Sequence, residues 1–167
     1  MIMNEVFEFN EKIAKMANGL TPDKAIVFTA GSYSDEKPDQ VGWALVILHK
    51  PEEKPIPFSG IAKEQNKEGE KKTGHRNIFG EVYAAEKAFD WAKNNGIKTL
   101  YLYSMYKEIH GWLKENHDAN YKMTQKFQRI GLDFQTNIHL LVGDNYKVIS
   151  KSKYGKMAKD LAQKVEE

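Results

Sequence analysis

Three strand-length apolar runs stand in succession ahead of the first central helix, and that order restricts the sheet this chain can build. They cover 24–29 (Ala25, Ile26, Val27 and Phe28 in its centre), 41–49 and 55–62. Strands joined by short connections pair antiparallel, as a meander. Two later runs, 99–103 and 138–142, are each reached through helical segments. A strand reached by such a crossover can lie parallel to its neighbour. The predicted architecture is therefore α/β: a five-stranded mixed sheet with helices on its faces. Pro55 and Pro57 suggest an edge position or an irregular start for the third run, because proline cannot donate to a ladder.

The helical segments follow from spacing. Over 4–18, Val6, Phe9, Ile13, Met16 and Leu20 recur at three and four, and Asn18-Gly19 supplies a left-handed stop. This N-terminal helix with its connector (1–22) is expected to dock on a domain spanning 23–167, or alternatively to form a dimer seam. Gly31-Ser32-Tyr33-Ser34-Asp35 has turn chemistry, and 64–74 has the polar, glycine-punctuated composition of a loop. Phe79, Val82, Tyr83, Ala85, Ala88, Phe89 and Ala92 mark a helix that ends at Asn94-Asn95-Gly96. Further helices are predicted over 107–115, 124–134 and 152–165.

At 167 residues, with 41% hydrophobic and 29% charged side chains, the chain has the size and composition of one globular domain. It lacks the run of about 18 apolar residues that a membrane span needs. Its start does not have the layout of a signal peptide. Without cysteine it has neither a disulfide framework nor a thiolate metal site, and a cytoplasmic location is expected. Net charge is +2, which discriminates weakly between binders and non-binders of nucleic acid. The densest basic stretch is 147–164.

Local strings in this order resemble type 1 ribonuclease H, nearest to its bacterial and viral branch. Ala25-Ile26-Val27-Phe28-Thr29-Ala30-Gly31-Ser32 is similar to the family's first strand, and Gly42-Trp43-Ala44-Leu45-Val46-Ile47 to its second. Arg76-Asn77 and Gly80-Glu81 match the segment that carries a catalytic Glu. Tyr106, Ile109 and Trp112 are similar to the stretch after the second catalytic Asp. Tyr154, Ala158, Leu161 and Ala162 are similar to the last helix. The resemblance covers roughly residues 24 to 165.

The resemblance implies an enzyme that cuts the RNA strand of an RNA–DNA hybrid with two Mg²⁺ ions, which need hard oxygen ligands. Of the four acids implied, only Glu81 is present. Ala30, Met105 and Lys159 stand in the other three places, and a two-residue slip would replace Met105 by Tyr103, also not an acid. Asp160 falls one position too late, about 100° around a helix. The family's catalytic His is missing from 143–152.

The expected function is therefore a catalytically inactive, nucleic-acid-binding member with no metal and no cofactor. Mg²⁺ is expected only if the chain were active. Its expected ligand is an RNA–DNA hybrid or double-stranded RNA. Candidate contacts, carried over from the family, are Asn77, Thr124 and Gln125, with charge from Arg76, Lys122 and Lys126. The alternatives are a protein-interaction scaffold, or an active nuclease that recruits carboxylates from Asp35, Glu108, Asp144 or Asp160. Lys159 is expected to place its ammonium beside Glu81, where a metal would otherwise sit. His75 is a further candidate for phosphate contact.

Overall fold

The computed structural model describes residues 2–33, 40–63 and 76–164, and of Lys63, Arg76 and Asn77 the backbone alone. The loop expected over 64–74, His75, Asp35, Glu36, Asp39 and Val165 lie outside the described residues, as do the side chains of Arg76 and Asn77. In chain order the elements are α1 (Ile2–Asn18), β1 (Lys24–Tyr33), β2 (Gln40–Leu48), β3 (Ile56–Lys63), α2 (Arg76–Asn94), β4 (Thr99–Ser104), α3 (Lys107–Lys114), α4 (Lys122–Phe134), β5 (His139–Val142), α5 (Tyr146–Lys151) and α6 (Lys153–Lys164).

The five strands form one mixed sheet in the order β3-β2-β1-β4-β5. β1 pairs antiparallel with β2, β2 antiparallel with β3, and the β1–β4 and β4–β5 pairs are parallel. The proline-bearing β3 is an edge strand, as its composition requires.

Two elements differ from the sequence expectation. β1 continues through Gly31-Ser32-Tyr33, because Ser32 and Tyr33 pair with Gly42 and Val41 of β2; pairing overrides the local turn preference. A short helix, α5, precedes α6. Asn145 caps it by accepting the Val148 N–H, and Ser152 ends it by donating its hydroxyl to the Ile149 carbonyl at 2.6 Å. The same hydroxyl accepts the Gly155 N–H at 3.2 Å, so one serine closes α5 and opens α6.

Period-two alternation divides the core. Ala25, Val27, Leu45, Ile47, Leu100 and Leu102 pack against α2 together with Val82, Ala85, Phe89, Phe127 and Phe134. Ile26, Phe28, Ala30, Ala44, Val46 and Tyr103 face the other way, against α6 and α1. Each fully buried Ile, Leu or Phe contributes roughly 1.5–3 kcal/mol to holding these layers together. On α1, Val6 and Ile13 are buried, and Phe9 meets Tyr103 edge-on at 5.3 Å. Asn10 of α1 also accepts the Lys153 N–H at 3.0 Å. The N-terminal stripe therefore docks on the protein's own sheet.

The second turn of α2 lies unusually close to β1 and β2. A Cβ on Gly80 would stand 2.9 Å from the Gly31 Cα, 3.0 Å from the Gly42 carbonyl oxygen and 2.7 Å from a Val41 methyl. Only glycine permits this approach, and the next residue along the helix is Glu81. Gly80→Ala is expected to push the turn off the strands and destabilise the protein by about 1–3 kcal/mol, measured by urea unfolding. A variant as stable as the parent would show that the approach is not enforced.

Candidate functional site

The carboxyl end of β4 lies beside the middle of β1, Thr29 opposite Ser104 in parallel register. Glycine packing carries the second turn of α2 to the same place. Glu81 is buried there, 5% exposed, among hydrogen-bond donors. Its Oε1 accepts the Gly31 N–H at 3.2 Å, and its Oε2 accepts the Ser104 hydroxyl at 3.0 Å and the Thr29 hydroxyl at 3.5 Å. The Met105 N–H adds a further stabilising bond. Ser104 in turn accepts the Tyr106 N–H at 3.3 Å, linking this carboxylate to the entry of α3.

Burial pushes the Glu81 carboxyl up from the ordinary carboxylate range to about 7; the bonds from Ser104, Gly31, Thr29 and Met105 oppose the shift without cancelling it. The acid therefore changes protonation near neutrality. Its hydroxyl neighbours can serve either form: a Ser or Thr hydroxyl donates to a carboxylate and accepts from a carboxylic acid.

Ala30 and Met105 point to the opposite face of the sheet. Ala30 is fully buried and Met105 packs beside it, in a cluster with Phe28, Tyr103, Tyr154 and Phe9. Phe28 and Tyr103 stack at 5.1 Å, and Phe28 meets Tyr154 at 5.7 Å. Burial pushes the Tyr103 phenol up to about 12, and its hydroxyl reaches the Met16 thioether of α1 at 4.0 Å. The aromatic residues along β4 and α3 serve packing: Tyr103 and Trp112 are each only 6% exposed.

Lys159 does not meet Glu81. It is exposed on α6, makes no ion pair with the carboxylate, and has no part in setting that acid's protonation. The reason lies in the layers. α6 packs on the sheet through Ala158 and Ala162, among the residues facing away from α2, whereas Glu81 belongs to the α2 side. The expected replacement of a metal by an ammonium is thus corrected: hydroxyls and backbone N–H groups hold Glu81.

Neither a family model nor a curated protein matches the sequence. Solved structures do match in fold. RNase H1 of Halobacterium salinarum NRC-1 is 13% identical, with 85% of this chain and 96% of that one covered at a TM-score of 0.60. The N-terminal RNase H domain of a Mycobacterium tuberculosis protein, fused to maltose-binding protein, is 10% identical over 85% of this chain and 92% of that one, with a TM-score of 0.63. LC11-RNase H1, isolated from compost by a metagenomic approach and solved with an RNA/DNA hybrid, is 13% identical over 86% and 99% at a TM-score of 0.57. The fold is ribonuclease H-like.

On this ribonuclease H-like frame the side chains at the expected ligand places do not fit a pair of magnesium ions. A methyl lies inside an apolar cluster, a half-buried thioether packs against it, an ammonium stands in solvent, and Glu81 is already surrounded by donors. Among the described residues no group of three or more His, Asp or Glu could hold a metal ion. Nor are the alternative acids among the described residues drawn in. Glu108 accepts from His117 at 3.2 Å, Asp160 is exposed on α6, and Asp144 lines a cavity of about 320 Å³ against Glu5, Glu8 and Lys12 of α1.

The nucleic-acid candidates divide. Lys122, Gln125 and Lys126 are exposed on α4. Lys126 is near enough to Glu86 of α2 to favour its charged form against the burial that raises its pKa. Gln125 donates to the Ala119 carbonyl at 3.1 Å, fixing the chain that enters α4. Thr124 is fully buried, and its hydroxyl accepts the Tyr121 N–H and donates to the Tyr121 carbonyl. It shapes the first turn of α4 and offers no group to solvent, a correction to its expected contact role. Arg129, one turn beyond Lys126, extends the exposed basic row. Thr29 and Ser104 were missed as partners of Glu81. The alternation of Ala25 and Val27, and of Leu100 and Leu102, places both hydroxyls on the α2 face and was the signal available.

Proposed function

We propose that this chain is a nucleic-acid-binding module on a ribonuclease H-like fold that does not cut its ligand. The observation that carries the proposal is that Ala30, fully buried, and Met105, half-buried against the same apolar cluster, stand where metal-binding acids would be needed. A two-metal displacement requires carboxylates at that point, whereas recognition of a hybrid through backbone, 2′-hydroxyl and shape requires none. Support for binding comes from neighbours solved with nucleic acid, LC11-RNase H1 with an RNA/DNA hybrid and a foamy viral protease–reverse transcriptase with RNA/DNA hybrid. The exposed Lys122, Lys126 and Arg129 of α4 supply phosphate-binding charge.

Incubation with a labelled RNA–DNA hybrid in Mg²⁺ and in Mn²⁺, following retention and cleavage together, tests the reading. Retention that weakens steeply with salt, with intact strands, is the expected result. Cleavage that Glu81→Ala abolishes would establish an active enzyme with unorthodox ligands. A second reading, a protein-interaction module, is favoured by Met3 and Phe7, 68% and 64% exposed on α1. Absence of both retention and cleavage would favour it.

A further inference from the structure

Residues 147–164 contain six lysines and a single acid, Asp160, in a chain whose net charge is only +2. The rest of the chain is therefore net acidic, and positive charge is segregated onto α5 and α6. All six, Lys147, Lys151, Lys153, Lys156, Lys159 and Lys164, are exposed. None forms an ion pair with a described carboxylate. Among the described residues of this stretch only Asp160 offsets their mutual repulsion. The helices beneath them are firmly placed: α6 packs through Gly155, Ala158 and Ala162, and α1 anchors its start through Asn10.

We infer that the α5–α6 face is a docking surface for the phosphate backbone of duplex nucleic acid, separate from the α4 row. The inference rests on the nucleic-acid reading above and assigns its principal surface. α6 is about 18 Å long at 1.5 Å per residue, and a duplex carries a charge every ~1.7 Å along its axis, so several phosphates lie within reach of these lysines at once. A lipid surface fits less well. Of the apolar residues of α6, Tyr154, Ala158, Leu161 and Ala162 pack into the core and Met157 alone is exposed, whereas interfacial helices bury a whole apolar face in the bilayer. α4 and α2 lie across the sheet from α6, so one duplex face cannot satisfy both rows by a single helix contact.

Fluorescence anisotropy of a labelled RNA–DNA hybrid with the full chain, over a range of salt, tests this. Lys151→Gln, Lys156→Gln and Lys159→Gln combined should reduce the salt slope by about three, one per phosphate contact removed. Lys122→Gln with Lys126→Gln is the comparison, and far-UV circular dichroism checks the fold. Should the triple variant misfold, Lys156→Gln alone should reduce the slope by about one. An unchanged slope in the α6 variants, with loss in the α4 pair, would overturn the inference and leave the nucleic-acid reading intact. Failure of the parent protein to bind hybrid, duplex DNA or single-stranded RNA would overturn both. Capture on phosphatidylserine vesicles without nucleic-acid binding would replace the proposed partner by a membrane.

Discussion

Glu81→Gln is expected to stabilise the protein at pH 8 by about 3 kcal/mol and to leave it nearly unchanged at pH 4. In the folded chain burial raises the carboxyl to about 7, against an ordinary value of 4.5. The folded state therefore binds the proton more tightly than the unfolded state throughout that window. The resulting stabilisation is fully present below about 4.5 and is lost as pH rises through about 7, at up to about 1.4 kcal/mol per pH unit. Glutamine has the shape of the protonated acid and loses nothing over the same range. Its carbonyl can accept from Gly31 and Met105, and its amide can donate to the Ser104 or Thr29 hydroxyl.

Urea unfolding of parent and variant from pH 4 to pH 8 measures the effect. A variant less stable than the parent at pH 8 would mean that the negative charge of Glu81 is wanted, held by a cation. A Mg²⁺-dependent difference between the two would identify that cation. Equal pH dependence in both proteins would move the effect to another group.

Much of the fold was legible because it rests on local pattern and on pairing rules. Three runs in succession, then strands separated by helices, leave few topologies, and β3 took the edge its prolines require. What failed depended on strand pairing or on an element too short to show a period. Gly31-Ser32-Tyr33 has turn composition, yet Gly42 and Val41 draw it into β1. α5 is only six residues long, and its one signal was Asn145 ahead of Val148 and Ile149.

The site was legible in its anchor and not in its surroundings. The family resemblance placed Lys159 in an acid's slot, but a slot in sequence does not fix where a long side chain points. Packing of Ala158 and Ala162 on the far face of the sheet turns Lys159 to solvent. The strand faces, by contrast, followed from period two, and through them the grouping of Glu81 with Thr29 and Ser104 was within reach of the sequence.

Ala30→Asp is expected to destabilise the protein by about 3 kcal/mol at pH 8 and by less at pH 5. Position 30 is fully buried in the largely apolar cluster of Phe28, Ala44, Tyr103, Ile149 and Ala158. The new acid must either hold an unpaired charge in apolar surroundings or keep its proton. Its pKa is therefore raised in the folded state, so stability is lost as pH rises. Ala30→Asn is the control, of similar volume and with no charge, and should lose less at pH 8 while showing no added pH dependence.

The same variant separates two histories of the cleft. If the space beside Glu81 were still shaped for ions, Ala30→Asp combined with Met105→Asp would recover stability on adding Mg²⁺ or Mn²⁺, because a bound ion stabilises the folded state by mass action. The packing of Phe9, Phe28, Tyr103 and Tyr154 argues against it: α1 and α6 have closed that side with aromatic rings, and two acids do not reopen it. Unfolding midpoints unmoved by millimolar Mg²⁺ are the expected result. A metal-dependent rise would mean that the cleft persists and that only its ligands were lost.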